Sequence, residues 1–218
     1  MKSFEKWETE EVERTFEIIQ EDDSELMQNW LNFQTSFSEK KLERVKELSE
    51  RHKKMANYWS EEDIKVFFIV PIIDLVEFYV PNRYRTFMEA SLKVELMDKD
   101  QKMQTLKGRV EMVVATGKQR PQTPFFFLNE YKPHVKSQSD PQGQLLIAML
   151  AAQSKNTKLN IPIYGLYTIG QNWFFVVLEQ KKYVLSRQFD ATKAEDLSQI
   201  LNMLQFVKEH IERLTQIK

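Results

Sequence analysis

The sequence predicts an α/β fold: a central mixed sheet of five to six strands flanked by helices, preceded by an all-helical N-terminal extension. Three observations support this prediction. Apolar residues recur at helical spacing through residues 8–55, strand-like runs occupy much of residues 86–132, and an apolar helix precedes further strand-like runs between residues 141 and 187. Helices followed by strands, a helix and more strands indicate a mixed sheet with helices on its faces.

Residues 1–58 form the predicted helical extension, and we expect residues 59–218 to form the main domain. Ser24 and Ser38 stand where N-caps are expected, because a serine side chain can accept a hydrogen bond from a free N–H at a helix start. The helical spacing is carried by three groups of apolar residues: Val12, Phe16 and Ile19, then Leu26, Trp30 and Phe33, then Leu42, Val45 and Leu48.

A helix opens the main domain. Ser60 and Asp63 resemble a capping box in which aspartate replaces the usual glutamate, and they precede an apolar helical run. Pro71 either kinks this helix or restarts it, and the helix should end near Phe78.

A three-stranded meander follows the first helix of the main domain. Two strands are predicted at residues 86–97 and 104–115, joined by a charged turn, and the third at residues 124–132. The third strand is apolar on both faces, which is typical of a central strand.

The second half of the main domain returns to the sheet after a helix. An apolar helix is predicted over residues 141–153, strands over 162–169 and 173–179, a short edge strand over 183–187, and a closing amphipathic helix after Thr192.

Composition excludes several classes of protein. The longest apolar run, residues 66–73, is too short to span a bilayer, and the absence of cysteine excludes disulfides, thiolate metal sites and a cysteine nucleophile. No apolar segment follows Met1, so we expect a cytoplasmic protein without a membrane partner.

The charge is unevenly distributed along the chain. The formal net charge is −1, yet residues 101–160 carry nine lysines and arginines against three acids. A locally basic region in a nearly neutral protein favours a polyanionic ligand, although distant acids could neutralise it in the fold.

Glu130 and Lys132 end the predicted central strand in the sequence FFFLNEYKP. Acid-x-lysine pairs occur five times in the chain, so the spacing alone is weak evidence. Glu179 and Lys181 also end an apolar strand, but the strand before them, PIYGLYTI, lacks a carboxylate. The strand before Glu130 carries Glu111 within GRVEMVVA.

Two acids brought into an apolar sheet by neighbouring strands need a compensating cation, because burial and mutual repulsion both disfavour their charged forms. Carboxylate oxygens suit a hard ion such as Mg²⁺, with Mn²⁺ as a substitute. Lys132 lies two residues from Glu130 and therefore on the same strand face, where it could position a metal-bound water or stabilise charge on a phosphate. The pattern predicts phosphodiester hydrolysis, with a simple Glu130–Lys132 ion pair as the alternative.

The sequence resembles the PD-(D/E)XK nuclease superfamily, the restriction-endonuclease-like fold. The resemblance rests on LKGRVEMVVATG, PFFFLNEYKP and DPQGQLL, and it covers roughly residues 59–190. The segments YWSEEDIKVFFIVPII and IPIYGLYTIGQNWFFVVL add a closer similarity to uncharacterised bacterial members. The resemblance implies that residues 59–218 form a nuclease-like domain that acts on DNA.

The same resemblance implies roles for individual residues. Glu111 and Glu130 would be metal ligands together with the carbonyl of Tyr131, and Lys132 would be the catalytic lysine. Gln144 would match a catalytic glutamine on the helix that follows, and Glu61 would match an acidic metal ligand on the first core helix. For both residues a structural role is the alternative, since Glu61 also suits a helix start.

The chain departs from the superfamily pattern at its first acid. Glu111 replaces the usual aspartate, and Arg109–Val110 stands where the motif has a proline before the acid. The alternative function is therefore a catalytically inactive nuclease-fold module that binds nucleic acid or a protein partner.

Four residues near the motif form a predicted basic rim that contacts phosphates: Lys118, Arg120, His134 and Lys136. DNA is thus the expected partner. A homodimer through the N-terminal helices or the core, and a place in a larger restriction or repair assembly, are further predictions.

Overall fold

A computed structural model describes residues 2–55, 58–132, 140–156 and 159–216. These residues form a mixed α/β structure built on one large, open sheet. Within the described ranges the sheet has ten strands. They are β1 (Lys2–Ser3), β2 (Ile19–Glu21), β3 (Tyr79–Val80), β4 (Tyr84–Met97), β5 (Met103–Thr116), β6 (Gln122–Lys132), β7 (Ile163–Ile169), β8 (Asn172–Glu179), β9 (Lys182–Leu185) and β10 (Phe189–Asp190).

Seven α-helices accompany these strands in the described part of the chain, together with a 3₁₀ turn at Phe4–Lys6 and a π-helical turn at Lys65–Ile69. The helices are α1 (Thr9–Phe16), α2 (Glu25–Leu31), α3 (Glu39–Met55), α4 (Glu61–Ile64), α5 (Val70–Asp74), α6 (Pro141–Lys155) and α7 (Ala194–Gln216). No helix in these ranges is long and apolar enough to cross a membrane.

The predicted meander and crossover are present. The strand order is β2-β9-β8-β7-β6-β5-β4-β3, with β4, β5 and β6 antiparallel to their neighbours in the meander. β6 and β7 are parallel and are connected through α6. Parallel neighbours require such a crossover, because a tight turn joins only antiparallel strands.

Two apolar layers cover the two faces of the sheet. The first contains buried residues of α2, α3, α5 and α7, and the second contains buried residues of α1 and α6. β6 lies between β5 and β7, and Phe127 and Leu128 at its centre are completely buried in different layers. The structure confirms a central position for the strand that carries Glu130.

Two expectations about the fold are corrected. The sheet has more than the five to six strands predicted, because β1, β2, β3 and β10 are only two or three residues long and show no recognisable period. The N-terminal region is also not all-helical: β1 pairs in parallel with β5, and β2 pairs in parallel with β9. The division at residue 58 into an extension and a nuclease-like domain stays a prediction.

Candidate functional site: a row of glutamates with two lysines

Three neighbouring strands carry one glutamate each at the same level of the sheet. On β4 and β5, Met88 lies opposite Met112 and Ala90 lies opposite Val110, which brings Glu89 opposite Glu111. On β5 and β6, Met112 lies opposite Asn129, so Glu111 and Glu130 are the next residues along their strands. Like charges directly across a sheet are destabilising, so this row needs local compensation.

The backbone is distorted at the same level. Glu89 has a φ of +50°, which is rare for a residue with a side chain. Phe87 and Ala90 lie three residues apart and pack in the same apolar layer, as do Val110 and Val113. Regular strands place residues three apart on opposite faces, so both strands interrupt their alternation at the paired glutamates. Backbone strain of this kind often occurs at functional sites.

Glu130 is the most buried member of the row, with 3% of its surface exposed. The pKa of Glu130 is raised to about 8, mainly by burial and also by the charge of Glu111, while Lys132 works in the opposite direction. A hydrogen bond with the backbone of Glu111 also favours the charged form. Glu179, in the other strand that ends in Glu-x-Lys, is exposed. The glutamates of the two Glu-x-Lys motifs therefore differ in environment: Glu130 is buried and Glu179 is exposed.

Lys65 joins the other two glutamates. Its Nζ lies 2.6 Å from Oε2 of Glu111 and 2.9 Å from Oε1 of Glu89, and it lies 5.2 Å from the centre of the Tyr131 ring. Burial disfavours the charged ammonium, yet the hydrogen bonds to both glutamates raise the pKa of Lys65 above its ordinary value. Burial raises the pKa of Glu111, whereas the hydrogen bond from Lys65 lowers the pKa of Glu89.

The π-helical turn places Lys65 over the sheet. The N–H of Val70 donates to the carbonyl of Lys65, five residues earlier, which is the π-helical spacing. Pro71 follows immediately, and a proline ring conflicts with the carbonyl four residues before it. The wider turn relieves that conflict. Such turns are rare and frequently occur at functional sites.

Lys132 and Tyr131 lie at the end of β6, beside the row. Lys132 is half-buried, and its carbonyl accepts a hydrogen bond from the N–H of Gly170 at 2.9 Å. Tyr131 is buried, with 3% of its surface exposed. Glu111, Glu130, Tyr131 and Lys132 thus lie on the two adjacent strands on which the sequence places them.

Gln144 has a different contact from the one implied by the resemblance. It is buried in α6, and its Nε2 donates to the carbonyl of Glu5 at 3.3 Å, which attaches the N-terminal segment to this helix. Glu61 is the first residue of α4, and its side chain lies outside the described part of the structure. Lys118 and Arg120 are exposed in the turn between β5 and β6, while His134 and Lys136 lie outside the described residues.

Sequence reasoning missed Lys65 and Glu89. Glu89 could have been found from the predicted hairpin, because a turn centred on Asp100 places Glu89 and Glu111 equally far from its centre. Lys65 had a weaker signal: it belongs to the acid-x-lysine pair that begins at Asp63, but its partners lie on strands distant in sequence.

The donor set of the row is oxygen-only. Two carboxylates and a backbone carbonyl suit Mg²⁺, which keeps several waters and takes few protein ligands. Within the described ranges, no three acidic, histidine or cysteine side chains are grouped closely enough to hold a metal ion. The donor atoms therefore fit a Mg²⁺ site with two carboxylate ligands, Glu111 and Glu130. Binding of the ion would require the ammonium of Lys65 to move away from Glu111.

No protein-family model matches this sequence, and no curated protein matches it. The chain is similar to a chain in the cryo-EM structure of a DrdV–DNA complex, with 14% identity and a TM-score of 0.40, over 75% of this chain and 14% of that one. It is also similar to the crystal structure of SSO0001, with 13% identity and a TM-score of 0.29, over 88% and 87% of the two chains. Both TM-scores are too low to assign a fold or a function.

Proposed function

We propose that this protein is a metal-dependent nuclease that hydrolyses phosphodiester bonds, with DNA as its substrate. The observation that carries the proposal is the juxtaposition of Glu111 and Glu130 on adjacent strands, with Lys132 two residues beyond Glu130. The meander, the crossover helix and the parallel fourth strand agree with the restriction-endonuclease-like core that the sequence resemblance implies. DNA as the substrate rests on the same resemblance.

The residues of the proposed site divide into metal ligands, a catalytic lysine and supporting residues. Glu111, Glu130 and the carbonyl of Tyr131 would hold Mg²⁺ or Mn²⁺. When bound, the metal would supply Lewis acidity at the phosphate and a more acidic water. Lys132 interacts with the charge of Glu130, and its ammonium would stabilise the negative charge that develops on the phosphate. Gln144 and Glu61 stay secondary candidates for supporting this site.

One observation favours the alternative function of an inactive nuclease-fold module. The ammonium of Lys65 already forms ion pairs with Glu89 and Glu111 and offsets part of their negative charge, which is an electrostatic role that a divalent ion would otherwise take. A protein that had lost metal binding could keep its buried acids in this way. The two functions differ in whether Mg²⁺ binds the site.

Cleavage assays with matched variants test the nuclease proposal. Lys132→Ala and Glu130→Gln should abolish Mg²⁺- or Mn²⁺-dependent cleavage of DNA while leaving the circular dichroism spectrum unchanged. Lys181→Ala is the matched control, because Lys181 belongs to the Glu-x-Lys motif at the end of β8, lies in the turn after that strand and forms an exposed ion pair with Glu17. Equal loss of activity in the control, or no cleavage of any DNA or RNA form by the wild type, would reject the proposal.

Metal binding separates the two functions without relying on catalysis. A nuclease site should raise the melting temperature when Mg²⁺ or Mn²⁺ is added, because a ligand that binds only the folded state stabilises it. Glu111→Gln should remove that increase, whereas the inactive module should show no increase in any form. A homodimer or a larger restriction or repair assembly stays a separate prediction for sedimentation analysis.

A further inference from the structure

A cleft of about 990 Å³ lies at the end of the sheet where β3, β4 and the turn between β5 and β6 meet. Four cationic side chains line it: Arg83, Arg85, Lys118 and Arg120. No carboxylate is among the described residues that form its walls. Asp74 and Glu77 line a neighbouring hollow that shares Tyr79 and Arg85 with the cleft, so Lys118 and Arg120 are the cations farther from these acids along the cleft wall.

The cations fall into a fixed pair and an exposed pair. Arg83 donates to the carbonyl of Glu212 and to Oγ1 of Thr215, at 2.8 and 2.7 Å. The guanidinium carbon of Arg85 lies 4.2 Å from the centre of the Phe87 ring. Lys118 and Arg120 are exposed and form no ion pair with any other residue that the structure places.

The turn that carries the exposed pair has a defined shape. The hydroxyl of Thr116 donates to the carbonyls of Gln122 and Thr123, at 3.1 and 2.8 Å. Gly117 has a φ of +106°, and a Cβ there would lie 2.2 Å from the carbonyl oxygen of Arg120. Only glycine fits this position without distortion, so the backbone holds Lys118 and Arg120 on the cleft.

An exposed aromatic ring completes the cleft. Tyr79 is 61% exposed, although a large aromatic side chain on a strand would ordinarily bury its ring. Cationic grooves combined with aromatic platforms are typical of single-stranded nucleic-acid binding, because the cations contact phosphates and an unpaired base stacks on the ring. The bases inside a duplex are already stacked and cannot use such a platform.

The cleft lies close to the glutamate row. Arg85 and Glu89 belong to the same strand, and four residues of strand span about 13 Å. That distance corresponds to about four base steps of a B-form strand. Along β4, the cleft and the row are therefore separated by roughly the length of a short oligonucleotide.

We propose that this cleft binds a single-stranded segment of nucleic acid, with Tyr79 stacking on a base and Lys118 and Arg120 contacting phosphates. The inference deepens the proposed nuclease function, since it names an unpaired strand as the form of substrate. The binding itself requires neither metal nor catalysis.

Fluorescence anisotropy in EDTA tests the inference. The probes are a labelled single-stranded oligonucleotide, the same sequence as a blunt duplex, and a duplex with an overhang. The wild type should bind the single strand and the overhang more tightly than the blunt duplex. Lys118→Ala combined with Arg120→Ala should weaken binding about tenfold or more. The slope of the logarithm of affinity against the logarithm of salt concentration should fall by the equivalent of about one to two phosphate contacts.

Tyr79→Ala separates stacking from charge. It should weaken single-strand binding about fivefold to a hundredfold without changing the salt slope, and should leave blunt-duplex binding nearly unchanged. The matched control is Lys99→Ala combined with Lys102→Ala, which removes two exposed lysines at the turn between β4 and β5. This control should bind all three probes like the wild type.

Three outcomes would overturn the inference. The first is that the Lys118 and Arg120 double variant binds the single strand as tightly as the control variant does. The second is that the wild type binds the blunt duplex as tightly as the single strand. The third is that heparin binds with the same affinity as the single strand and that Tyr79→Ala weakens both equally. Failure of the nuclease proposal would look different: the wild type would bind the single strand but cleave nothing. Conversely, a Glu130→Gln variant that binds the single strand normally but no longer cleaves it would support both the nuclease proposal and the single-strand binding cleft.

Discussion

The buried carboxyl of Glu130 should make stability depend on pH. The folded protein holds this proton up to about pH 8, whereas the unfolded chain releases it near pH 4.5. The free energy of unfolding should therefore fall as the pH rises from about 4.5 to 8 and level off above. One pKa unit corresponds to about 1.4 kcal/mol, so at pH 9 and without metal Glu130→Gln should stabilise the fold by a few kcal/mol. Urea unfolding at several pH values measures this.

The control for this pH dependence is Glu179→Gln. Glu179 holds the equivalent place in the other Glu-x-Lys strand but is exposed, so its replacement should shift stability equally little at pH 5 and pH 9. A Glu130→Gln variant that is destabilised at pH 9 would contradict the burial argument, because it would mean that the ionised carboxylate is a net stabilising group.

Lys65 is the residue whose removal best tests the balance of charge in the row. Lys65→Met keeps the apolar part of the side chain but leaves Glu89 and Glu111 without their ammonium partner. We expect a loss of about 1.5–3 kcal/mol without metal, the range for hydrogen bonds to charged groups. If the row binds Mg²⁺, the metal-induced rise in melting temperature should be larger in this variant than in the wild type, because Lys65 no longer competes for Glu111.

Lys41→Met provides the comparison for Lys65. Lys41 also belongs to a helix and approaches a glutamate, Glu77, but at 3.9 Å and with that partner largely exposed. Such pairs contribute little, so stability and metal response should both match the wild type. A Lys65→Met variant that behaves like Lys41→Met would show that the contacts with Glu89 and Glu111 carry no net free energy.

At the residue scale, the candidate residues that the sequence pointed to are those on apolar strands. Glu111 and Glu130 stand out because acids are rare among buried strand residues, and Lys132 is found from its spacing to Glu130. Lys65 does not stand out, because a lysine on a helix is usually solvated and its partners lie 24 and 46 residues away in sequence. Contacts of that kind depend on tertiary structure.

At the element scale, the capping box before α4 is confirmed and is testable. The N–H of Ser60 donates to Asp63 at 3.0 Å, and the N–H of Asp63 donates to Oγ of Ser60 at 3.2 Å. Ser60→Ala should cost about 1 kcal/mol, which for a chain of this size lowers the melting temperature by about 2–4 °C. Ser60→Asn should preserve stability, since asparagine caps equally well. An unchanged melting temperature in Ser60→Ala would show that the start of α4 does not limit stability.

The segment after this cap shows where local sequence stops being informative. The prediction allowed Pro71 either to kink the helix or to restart it, and the structure shows a π-helical turn that ends just before α5. Proline accounts for the disturbance, but the choice between a kink and a wider turn depends on packing. Phe68 and Ile69, completely buried in this turn, fit the apolar layer on α3 and α7.

Long strands and helices were predictable because they contain several periods of their pattern. β4, β5, β6 and α6 all lie within a few residues of their predicted bounds. The short strands β1 and β2 were not predictable, because they exist only where a partner strand supplies hydrogen bonds: Lys2 and Ser3 pair with Leu106 and Lys107.

At the scale of the molecule, the N-terminal residues are part of both apolar layers. Phe4 and Val12 are buried in the layer that contains α6, and Trp30 is completely buried in the opposite layer. The indole N–H of Trp30 donates to the carbonyl of Met203 in α7 at 2.7 Å. Gly143 in α6 packs so closely on the N-terminal backbone that a Cβ there would lie 2.6 Å from Thr9 N.

These contacts predict that the main domain does not fold alone. Removal of residues 1–58 would uncover part of each apolar layer and leave the edges at β5 and β9 unpaired, and uncovered strand edges promote aggregation. We expect residues 59–218 expressed alone to be insoluble or to unfold without a cooperative transition, as measured by thermal circular dichroism. Coexpression with residues 1–58 as a separate chain should restore a cooperative transition, because the same surfaces can pair between chains. A truncated protein that melts cooperatively near the wild-type temperature would instead support the boundary at residue 58 as a real division between domains.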